Sequence, residues 1–208
     1  MISFVEVILI IVSYVLGSIP SAVLVGKSFH GLDVRLHGSM SAGATNTFRV
    51  LGKRAGITVL IMDILKGATA VNLVYFSESI LPEYIIGFKI LFGLMAVVGH
   101  IYPLFASFKG GKGIATLLGM VIAIDPILAL GCISIFLIIL ISTNMVSLGS
   151  ILSTLSFGIM TYIRYGFSEP FLLIFGIFAG ILVLYTHRAN IGRIMRGEEK
   201  KIYLFKKK

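Results

Sequence analysis

Long apolar runs separated by short polar segments make up most of the chain. Their lengths predict membrane-spanning helices over roughly 3–25, 55–76, 84–106, 114–124, 127–142, 145–163 and 170–186. A hydrocarbon core of ~30 Å needs about 20 helical residues, so the fourth and fifth runs are short for a full crossing. These two runs are also compatible with one long broken helix, because Asp125-Pro126 is the only interruption between Gly113 and Ser142.

The distribution of positive charge decides between six and seven spans. The segment 26–54 and the tail 187–208 are both rich in Lys and Arg, and loops of this kind lie on the cytoplasmic side of a membrane. If the first loop is inside and the N-terminus outside, an odd number of spans separates the N-terminus from the tail. We therefore predict an all-α integral membrane protein with seven transmembrane helices, some short or broken, and a cytoplasmic C-terminus. Residues 1–208 are expected to form a single polytopic membrane domain.

Composition supports the membrane assignment. Apolar residues make up 57% of the 208 positions and charged residues 13%, which excludes an ordinary soluble domain. The net charge of +9 follows from loop orientation and contact with anionic lipid headgroups, so no nucleic-acid partner is expected. Cys132 is the one cysteine and cannot form an internal disulfide. The first apolar run lacks a basic leader, so it is predicted as a helix and not as a cleaved signal peptide.

Two polar clusters interrupt the apolar pattern at 37–49 and 108–116. Both combine glycine with hydroxyl, amide and cationic side chains, which are the groups that bind phosphate. Loop orientation alone requires charge and gives no reason for the accompanying Gly, Thr and Asn. With the segment 187–199, these clusters are predicted to lie on one side of the membrane and to form a site for a phosphorylated molecule.

In the first cluster, Thr45 and Arg49 share a helix face if 43–51 is helical, because they are four residues apart. Asn46 is adjacent, and Ser39 lies just upstream on a stretch made flexible by Gly38. A bound phosphate here would meet a guanidinium fork and neutral donors. The alternative for Ser39, Thr45 and Asn46 is local capping and turn formation.

The second cluster differs from a P-loop, because Gly113 and not Ser or Thr follows Lys112 and apolar helices flank the turn. The physical basis for anion binding is nevertheless shared. Three glycines expose backbone amides at the start of the next helix, and two lysines add charge, which predicts an anion site. The residues concerned are Lys109, Gly110, Gly111, Lys112 and Gly113.

Asp63, Lys66 and His100 are ionisable residues that lie within apolar runs. Asp63 and Lys66 are three apart in the second span, and such residues face the bundle interior or a wet cavity. They are interpreted either as a mutual ion pair or as residues that place the active-site loops. His100, near the end of the third span, is interpreted as a hydrogen-bonded structural histidine in preference to a base.

Two kinds of catalytic machinery are absent from the sequence. No His-x4-Asp dyad is present, since His30 and Asp33 are only three apart. The acidic residues of the inner segments are scattered, so no metal site is expected, because metal binding requires converging oxygen ligands. No cofactor is expected either. The reaction is therefore predicted to use a substrate that is already activated.

The chain resembles the bacterial acyl-phosphate:glycerol-3-phosphate acyltransferase family along nearly its whole length. The matching motifs are Gly-Ser-Ile-Pro-Ser-Ala at 17–22, Gly-Ala-Thr-Asn-x-x-Arg at 43–49, Asp-x-x-Lys-Gly at 63–67, Gly-His-x-x-Pro-x-Phe-x-x-Phe-Lys-Gly-Gly-Lys-Gly at 99–113 and His-Arg-x-Asn-Ile-x-Arg at 187–193. The resemblance implies a seven-helix enzyme of the bacterial plasma membrane with a cytoplasmic site. It also implies that glycerol-3-phosphate and a long-chain acyl phosphate are converted to 1-acyl-glycerol-3-phosphate and phosphate. Membrane lipids surround the protein, which is expected to be a monomer.

The resemblance also implies residue roles. Catalytic or positioning groups are Ser39, Arg49, Lys109, His187 and Asn190, and substrate-binding groups are Thr45, Asn46, Gly110, Gly111, Lys112, Gly113, Arg193, Asp63, Lys66 and His100. The family's first motif usually has Gly and Asn where this chain has Met40 and Ser41. Met restricts the backbone where Gly does not, which indicates altered substrate preference or activity.

Two other functions fit parts of the pattern. A small transporter or channel for an organic phosphate would also use cationic loops and intramembrane charges. Against it, the predicted outer loops are short and acidic and offer no second cationic site through which an anion could leave. The other alternative is a catalytically weak, lipid-binding paralogue.

Overall fold

The computed structural model describes residues 3–202, and all regular elements among them are helical. The α-helices are α1 (Phe4–Gly17), α2 (Ser21–His30), α3 (Ala44–Leu51), α4 (Lys53–Asn72), α5 (Ile85–Ile101), α6 (Ile114–Ile124), α7 (Pro126–Thr143), α8 (Val146–Tyr165), α9 (Pro170–Thr186) and α10 (Arg188–Met195). Short 3₁₀ turns occupy Val34–Leu36, Leu73–Phe76, Pro82–Tyr84 and Leu104–Ala106. The terminal lysines at 206–208 lie outside the described residues.

Several helices have the length and composition of membrane spans. Among residues 3–202, four helical stretches qualify alone, and two bent pairs, α1 with α2 and α9 with α10, raise the number to six. The remaining apolar helix, α6, has only 11 residues. The protein is therefore an integral membrane protein with an all-helical fold, and the seven-span count stays a prediction that depends on α6.

The boundary at Asp125-Pro126 is confirmed, because α6 ends at Ile124 and α7 begins at Pro126. The predicted helix over 43–51 is also confirmed as α3. The single first span of 3–25 is wrong in detail: α1 ends at Gly17, and α2 follows at an angle of 41°. Pro20 explains the break, since proline lacks an N–H and disfavours helical backbone in the residue before it.

Contacts divide the chain into two compact units, one ending at Ile124 and the other beginning at Asp125. In the first unit, α4 packs against α3, α5 and α6, and α1 packs against α5. The α4 and α6 backbones approach closely, because a Cβ at Gly67 would lie 2.1 Å from the Thr116 carbonyl oxygen, and one at Gly119 would lie 1.9 Å from that of Ile64. Small residues permit this approach between membrane helices.

The break between α1 and α2 is bound to α4 by polar contacts. Lys66 Nζ donates to the Ile19 carbonyl oxygen at 3.2 Å, and the Ser21 hydroxyl donates to Asp63 Oδ1 at 2.8 Å. A backbone that leaves helical geometry inside a membrane protein needs partners of this kind, because lipid supplies none.

The second unit packs α8 against both α7 and α9. The rings of Phe157 and Phe175 meet edge to face at a centroid distance of 5.3 Å. Asp125 caps α7 by accepting from the Ile127 and Leu128 N–H groups, and its other oxygen accepts from Arg164 at 2.8 Å. The beginning of α7 is thereby joined to the end of α8.

Candidate active site

The first motif is a turn held together by Asn46, the third residue of α3. Asn46 is almost fully buried, and its Oδ1 accepts from the backbone N–H of Ser39 at 2.7 Å and from the Ser39 hydroxyl at 3.1 Å. Its Nδ2 donates to the carbonyl oxygens of Val34 and His37 at 2.8 and 3.1 Å. The Asn46 amide therefore supports the turn from below, while Ser39 is exposed.

Thr45 and Arg49 lie one turn apart on α3 and are both half-buried. The expectation that they share a helix face is met by this geometry. Thr47, which carries no motif role, is fully buried and donates its hydroxyl to the Gly43 carbonyl oxygen at 3.1 Å. The α3 helix thus turns one face toward the core and presents Thr45 and Arg49 at its margin.

Met40 stands at the residue where the sequence departs from the family pattern. Its φ is +58°, in the left-handed region that glycine adopts without strain, and its side chain is 72% exposed. The backbone here thus has the conformation that glycine favours although the residue is methionine. The change at Met40 therefore places strain in the turn that carries Ser39.

The second motif follows α5 through a tight turn. Ser107 and Phe108 both have positive φ, and the Phe108 N–H donates to the Pro103 carbonyl oxygen at 2.9 Å. Gly113, with φ of +82°, precedes the first residue of α6, and its carbonyl oxygen accepts from the Leu117 N–H. Lys109 is exposed and Lys112 is half-buried. The glycines and lysines thus lie at a helix start, as an anion site requires.

The first and second motifs are in contact. The Ala42 N–H donates to the Gly110 carbonyl oxygen at 3.4 Å. Arg35 forms a second link by donating to the Ala106 carbonyl oxygen at 2.8 Å. Residues 68 or more positions apart in sequence therefore form one polar surface at the ends of α2, α3 and α5.

Arg35 is an anchor that the sequence interpretation did not single out. Its guanidinium makes a bidentate contact with Asp33, with the shortest distance at 2.7 Å, and this hydrogen bonding lowers the pKa of Asp33 to about 2. Asp33 also caps the 3₁₀ turn by accepting from the Arg35 backbone N–H. The pair of Asp33 and Arg35 is a weak sequence signal for this anchor. The Ala106 carbonyl oxygen, which Arg35 contacts in the second motif, is distant in sequence.

Asp63, Lys66 and His100 were predicted to bind substrate, and the structure buries all three. They are 1%, 7% and 6% exposed, and they contact one another and the backbone. The mutual ion pair of Asp63 and Lys66 is present at 2.9 Å. These contacts support the interpretation of Asp63 and Lys66 as a mutual ion pair.

The third motif belongs to the second unit and is organised by Glu199. The carboxylate of Glu199 accepts from the Asn190 amide at 2.7 Å, from Arg193 at 2.8 Å and from the Ser147 hydroxyl at 2.7 Å. Burial alone would raise the pKa of Glu199, but these three donors outweigh it and lower the pKa. Glu199 was not identified as a site residue from the sequence.

His187 lies at the end of α9, where the chain bends by 65° into α10. It is buried, and its Nδ1 lies 3.1 Å from the Val183 carbonyl oxygen. The bend and the Glu199 contacts give residues 187–199 a defined shape in which Asn190 is buried and Arg193 is half-buried.

The chain is similar to glycerol-3-phosphate acyltransferases over nearly its full length. The sequence model of the family described as glycerol-3-phosphate acyltransferase matches residues 7–197. A glycerol-3-phosphate acyltransferase from Bacillus cytotoxicus is 44% identical over 205 residues, covering 98% of each chain. One from Chlorobium phaeobacteroides is 39% identical over 228 residues, covering 96% of this chain and 97% of the relative.

Solved structures show the same fold. The crystal structure of PlsY, an integral membrane glycerol 3-phosphate acyltransferase, in its glycerol 3-phosphate form matches with a TM-score of 0.85 and 37% identity, covering 95% of this chain and 96% of that one. The lysophosphatidic acid form of PlsY matches with a TM-score of 0.82 and 36% identity, covering 95% of each chain.

Proposed function

The chain belongs to the glycerol-3-phosphate acyltransferase family, and on that basis we propose that it transfers a long-chain acyl group from acyl phosphate to the 1-hydroxyl of sn-glycerol-3-phosphate. The products are 1-acyl-glycerol-3-phosphate (lysophosphatidic acid) and inorganic phosphate. The protein is an integral membrane acyltransferase of phospholipid synthesis, and acyl transfer to glycerol-3-phosphate is the first step of that synthesis.

The observation that carries this proposal is the contact between the first two motifs. The hydrogen bond from Ala42 to Gly110 brings Ser39 and Arg49 on one side, and the lysine- and glycine-rich turn on the other, onto one polar surface. A phosphate at this surface would be bound by the Arg49 guanidinium, by the two lysines and by the start of α6. Glycerol-3-phosphate carries the required dianion, and its free 1-hydroxyl is the acceptor.

Division of labour follows from the chemistry of each group. Arg49 is proposed to grip the substrate phosphate through two parallel N–H donors, since the guanidinium is planar. Lys109 and Lys112 supply positive charge, and the amide of Gly113 supplies a neutral donor at the start of α6. Gly110 and Gly111, whose N–H groups donate to the carbonyl oxygens of Ile101 and His100, shape the turn. His187, Asn190 and Arg193 are also proposed as catalytic or substrate-binding groups, as the resemblance to the family implies.

Acyl phosphate makes the step feasible without a strong base. The 1-hydroxyl oxygen forms a bond with the acyl carbonyl carbon, and the bond from that carbon to the phosphate oxygen breaks. The leaving phosphate takes the electron pair and accepts the hydroxyl proton. Catalysis then rests on positioning two substrates and on stabilising negative charge.

Ser39 is proposed to position the substrates and not to become acylated. Its hydroxyl donates to the amide oxygen of Asn46. An amide oxygen is not a base at neutral pH, so this contact does not activate the serine as a nucleophile. Thr45 on α3 is proposed as a further neutral donor to substrate.

Location and assembly are proposed on the same basis. The reaction takes place at the cytoplasmic face of the bacterial plasma membrane, with the N-terminus outside and seven spans, since the basic segments belong inside. The active form is a monomer, and the residues proposed for the chemistry come from one chain.

A donor comparison tests the proposed function. Purified protein is incubated with glycerol-3-phosphate and, separately, palmitoyl phosphate, palmitoyl-CoA or palmitoyl carrier protein, and lysophosphatidic acid is measured. Product is expected with palmitoyl phosphate alone. The Arg49→Ala variant should lose product formation, whereas the matched control Arg54→Ala, which removes an exposed cation three residues beyond the end of α3, should not.

Product with palmitoyl-CoA and not with palmitoyl phosphate would contradict the proposed donor. Binding of glycerol-3-phosphate or lipid with no product from any donor would instead identify the chain as a silent paralogue. Either result would leave the family membership intact and overturn the proposed activity.

A further inference from the structure

His100 lies between a buried carboxylate and the backbone of the second motif. Its Nδ1 is 3.5 Å from Asp63 Oδ1, an ion-pair distance at which the two groups are not aligned for a hydrogen bond. The same oxygen of Asp63 is contacted by Lys66 Nζ at 2.9 Å and accepts from the Ser21 hydroxyl at 2.8 Å. The imidazole therefore contacts a carboxylate that α4 and α2 fix in place.

The opposite edge of the ring supports the glycine-rich turn. A Cβ at Gly111 would lie 2.3 Å from His100 Nε2, so ring and backbone are in close contact. The backbone of α5 completes the seat: the Gly111 N–H donates to the His100 carbonyl oxygen at 3.1 Å, and the Gly110 N–H donates to that of Ile101 at 3.2 Å. The segment that precedes Lys112 thus lies directly on the end of α5.

We propose that His100 is a positioning residue whose ring, in contact with Asp63, fixes the position of the Gly110-Gly111 backbone. It thereby directs Lys112 and the start of α6 toward the substrate phosphate. This inference rests on the proposed function, because it takes the second motif to be the phosphate site. The His100 ring acts as a spacer, because it fills the distance between the buried Asp63 carboxylate and the Gly111 backbone.

The spacer has a specific consequence for kinetics. A shift of the glycine backbone by about 1 Å misplaces the phosphate donors and costs roughly ten- to a hundredfold in function. Lys112 and the Gly113 amide, which follow this backbone, are the groups proposed to contact the phosphate of glycerol-3-phosphate. The effect therefore falls on KM for that substrate more than on kcat. A role confined to holding the fold together would lower the amount of folded protein and leave KM unchanged.

Substitution of His100 by Asn or by Gln distinguishes the contribution of the Nδ1 edge of the ring from that of the Nε2 edge. His100→Asn keeps a polar atom near the position of Nδ1 and leaves the space under Gly111 empty. His100→Gln places its amide near the position of Nε2 and keeps that space filled. KM for glycerol-3-phosphate is expected to rise roughly tenfold or more in His100→Asn and by much less in His100→Gln.

A double-mutant cycle provides the complementary test. Gly111→Ala alone should raise KM, because its methyl group would collide with the ring. In the double variant of Gly111→Ala with His100→Asn the methyl enters the vacated space, so its KM should be well below the product of the two single effects. Phe92→Leu, a buried change in α5 away from the turn, is the matched control and should leave KM unchanged.

Amide hydrogen exchange of residues 108–113 in purified protein measures the seating without substrate or turnover. Faster exchange is expected in His100→Asn than in His100→Gln. Absence of acyl transfer by the unmodified protein would contradict the proposed function, and the exchange comparison would still decide this inference. Equal exchange in the two variants, or independent effects of Gly111→Ala and His100→Asn, would overturn it.

Discussion

Asn46 Oδ1 accepts hydrogen bonds from both the backbone N–H and the hydroxyl of Ser39, at 2.7 and 3.1 Å. This contact fixes the serine and engages its proton with an acceptor that is not a base. Ser39→Ala should therefore lose roughly ten- to a hundredfold in kcat/KM through lost positioning. Since no acyl-serine forms, both substrates must be bound together, and initial-rate plots should intersect. Parallel plots, or an acylated Ser39 found by mass spectrometry after acyl phosphate is added alone, would make Ser39 the nucleophile.

Replacement of Arg49 by Lys tests whether the planar guanidinium binds the substrate phosphate through two parallel N–H donors. The variant keeps the charge but supplies a point donor, so we expect kcat/KM to fall roughly tenfold or more, with KM for glycerol-3-phosphate raised. Steady-state kinetics at varied glycerol-3-phosphate provide the measurement, and Arg54→Lys is the matched control. An unchanged KM in the Arg49 variant would exclude direct phosphate binding by this residue.

Met40→Gly should stabilise the protein by about 1 kcal/mol, because glycine adopts a positive φ without the steric cost that methionine incurs. The free energy of unfolding in mixed micelles measures the effect. Ser41→Gly is the control, since the φ of Ser41 is not positive and the added flexibility should destabilise the chain or leave it unchanged. A Met40 variant no more stable than the Ser41 variant would show that the turn is unstrained.

Acid stability should depend on Asp33. Its pKa lies at about 2 in the folded protein against an ordinary 3.8, so the Asp33 contact stabilises the fold above about pH 4 and is lost as the pH falls toward 2. Asp33→Asn should cost about 1–2 kcal/mol at neutral pH, with the difference from the unmodified protein shrinking below pH 4. Unfolding measured from pH 7 to pH 3 checks this. Glu198→Gln breaks an exposed pair with Arg196 and should change little.

Topology can be tested with cysteines placed near Ser39, Gly111 and Asn190, at the exposed positions Ser39, Lys109 and Ala189, in a background carrying Cys132→Ala. In intact cells these positions should resist membrane-impermeant thiol reagents and react only after the membrane is opened, because the basic segments lie inside. A cysteine at Glu83, in a predicted outer loop, is the positive control. Labelling of the three positions from outside would reverse the proposed orientation.

Features governed by local sequence were predictable. The helix boundary at Pro126 follows from proline geometry, and the α3 helix follows from residue spacing. Both are confirmed. The break before Pro20 carried the same proline signal, but the surrounding apolar run concealed it. Helix lengths were less accessible, because helix ends depend on caps and on packing with neighbours.

The supporting contacts of the candidate site could not be read from the sequence. Asn46 belonged to the predicted motif, yet its role as the support of Ser39 depends on where Val34 and His37 lie in space. Glu199 could not be told from Glu198, because only the fold shows that one is buried beneath Asn190 and the other is exposed. Side chains that act through long-range contacts carry no periodic signal.

The bend at Pro20 couples the residue tolerated at position 20 to the residues at positions 63 and 66. Lys66 reaches the carbonyl of Ile19 at the break and also neutralises Asp63. In a homologue that lacks Pro20 and has a straight first span, the Ile19 carbonyl oxygen would accept a helical hydrogen bond. The Lys66 ammonium group would then lose this partner. Losing Lys66 alone would then strand a buried carboxylate, at a cost of several kcal/mol. Substitutions at positions 20, 63 and 66 are therefore expected to covary, with single replacements rare among functional sequences.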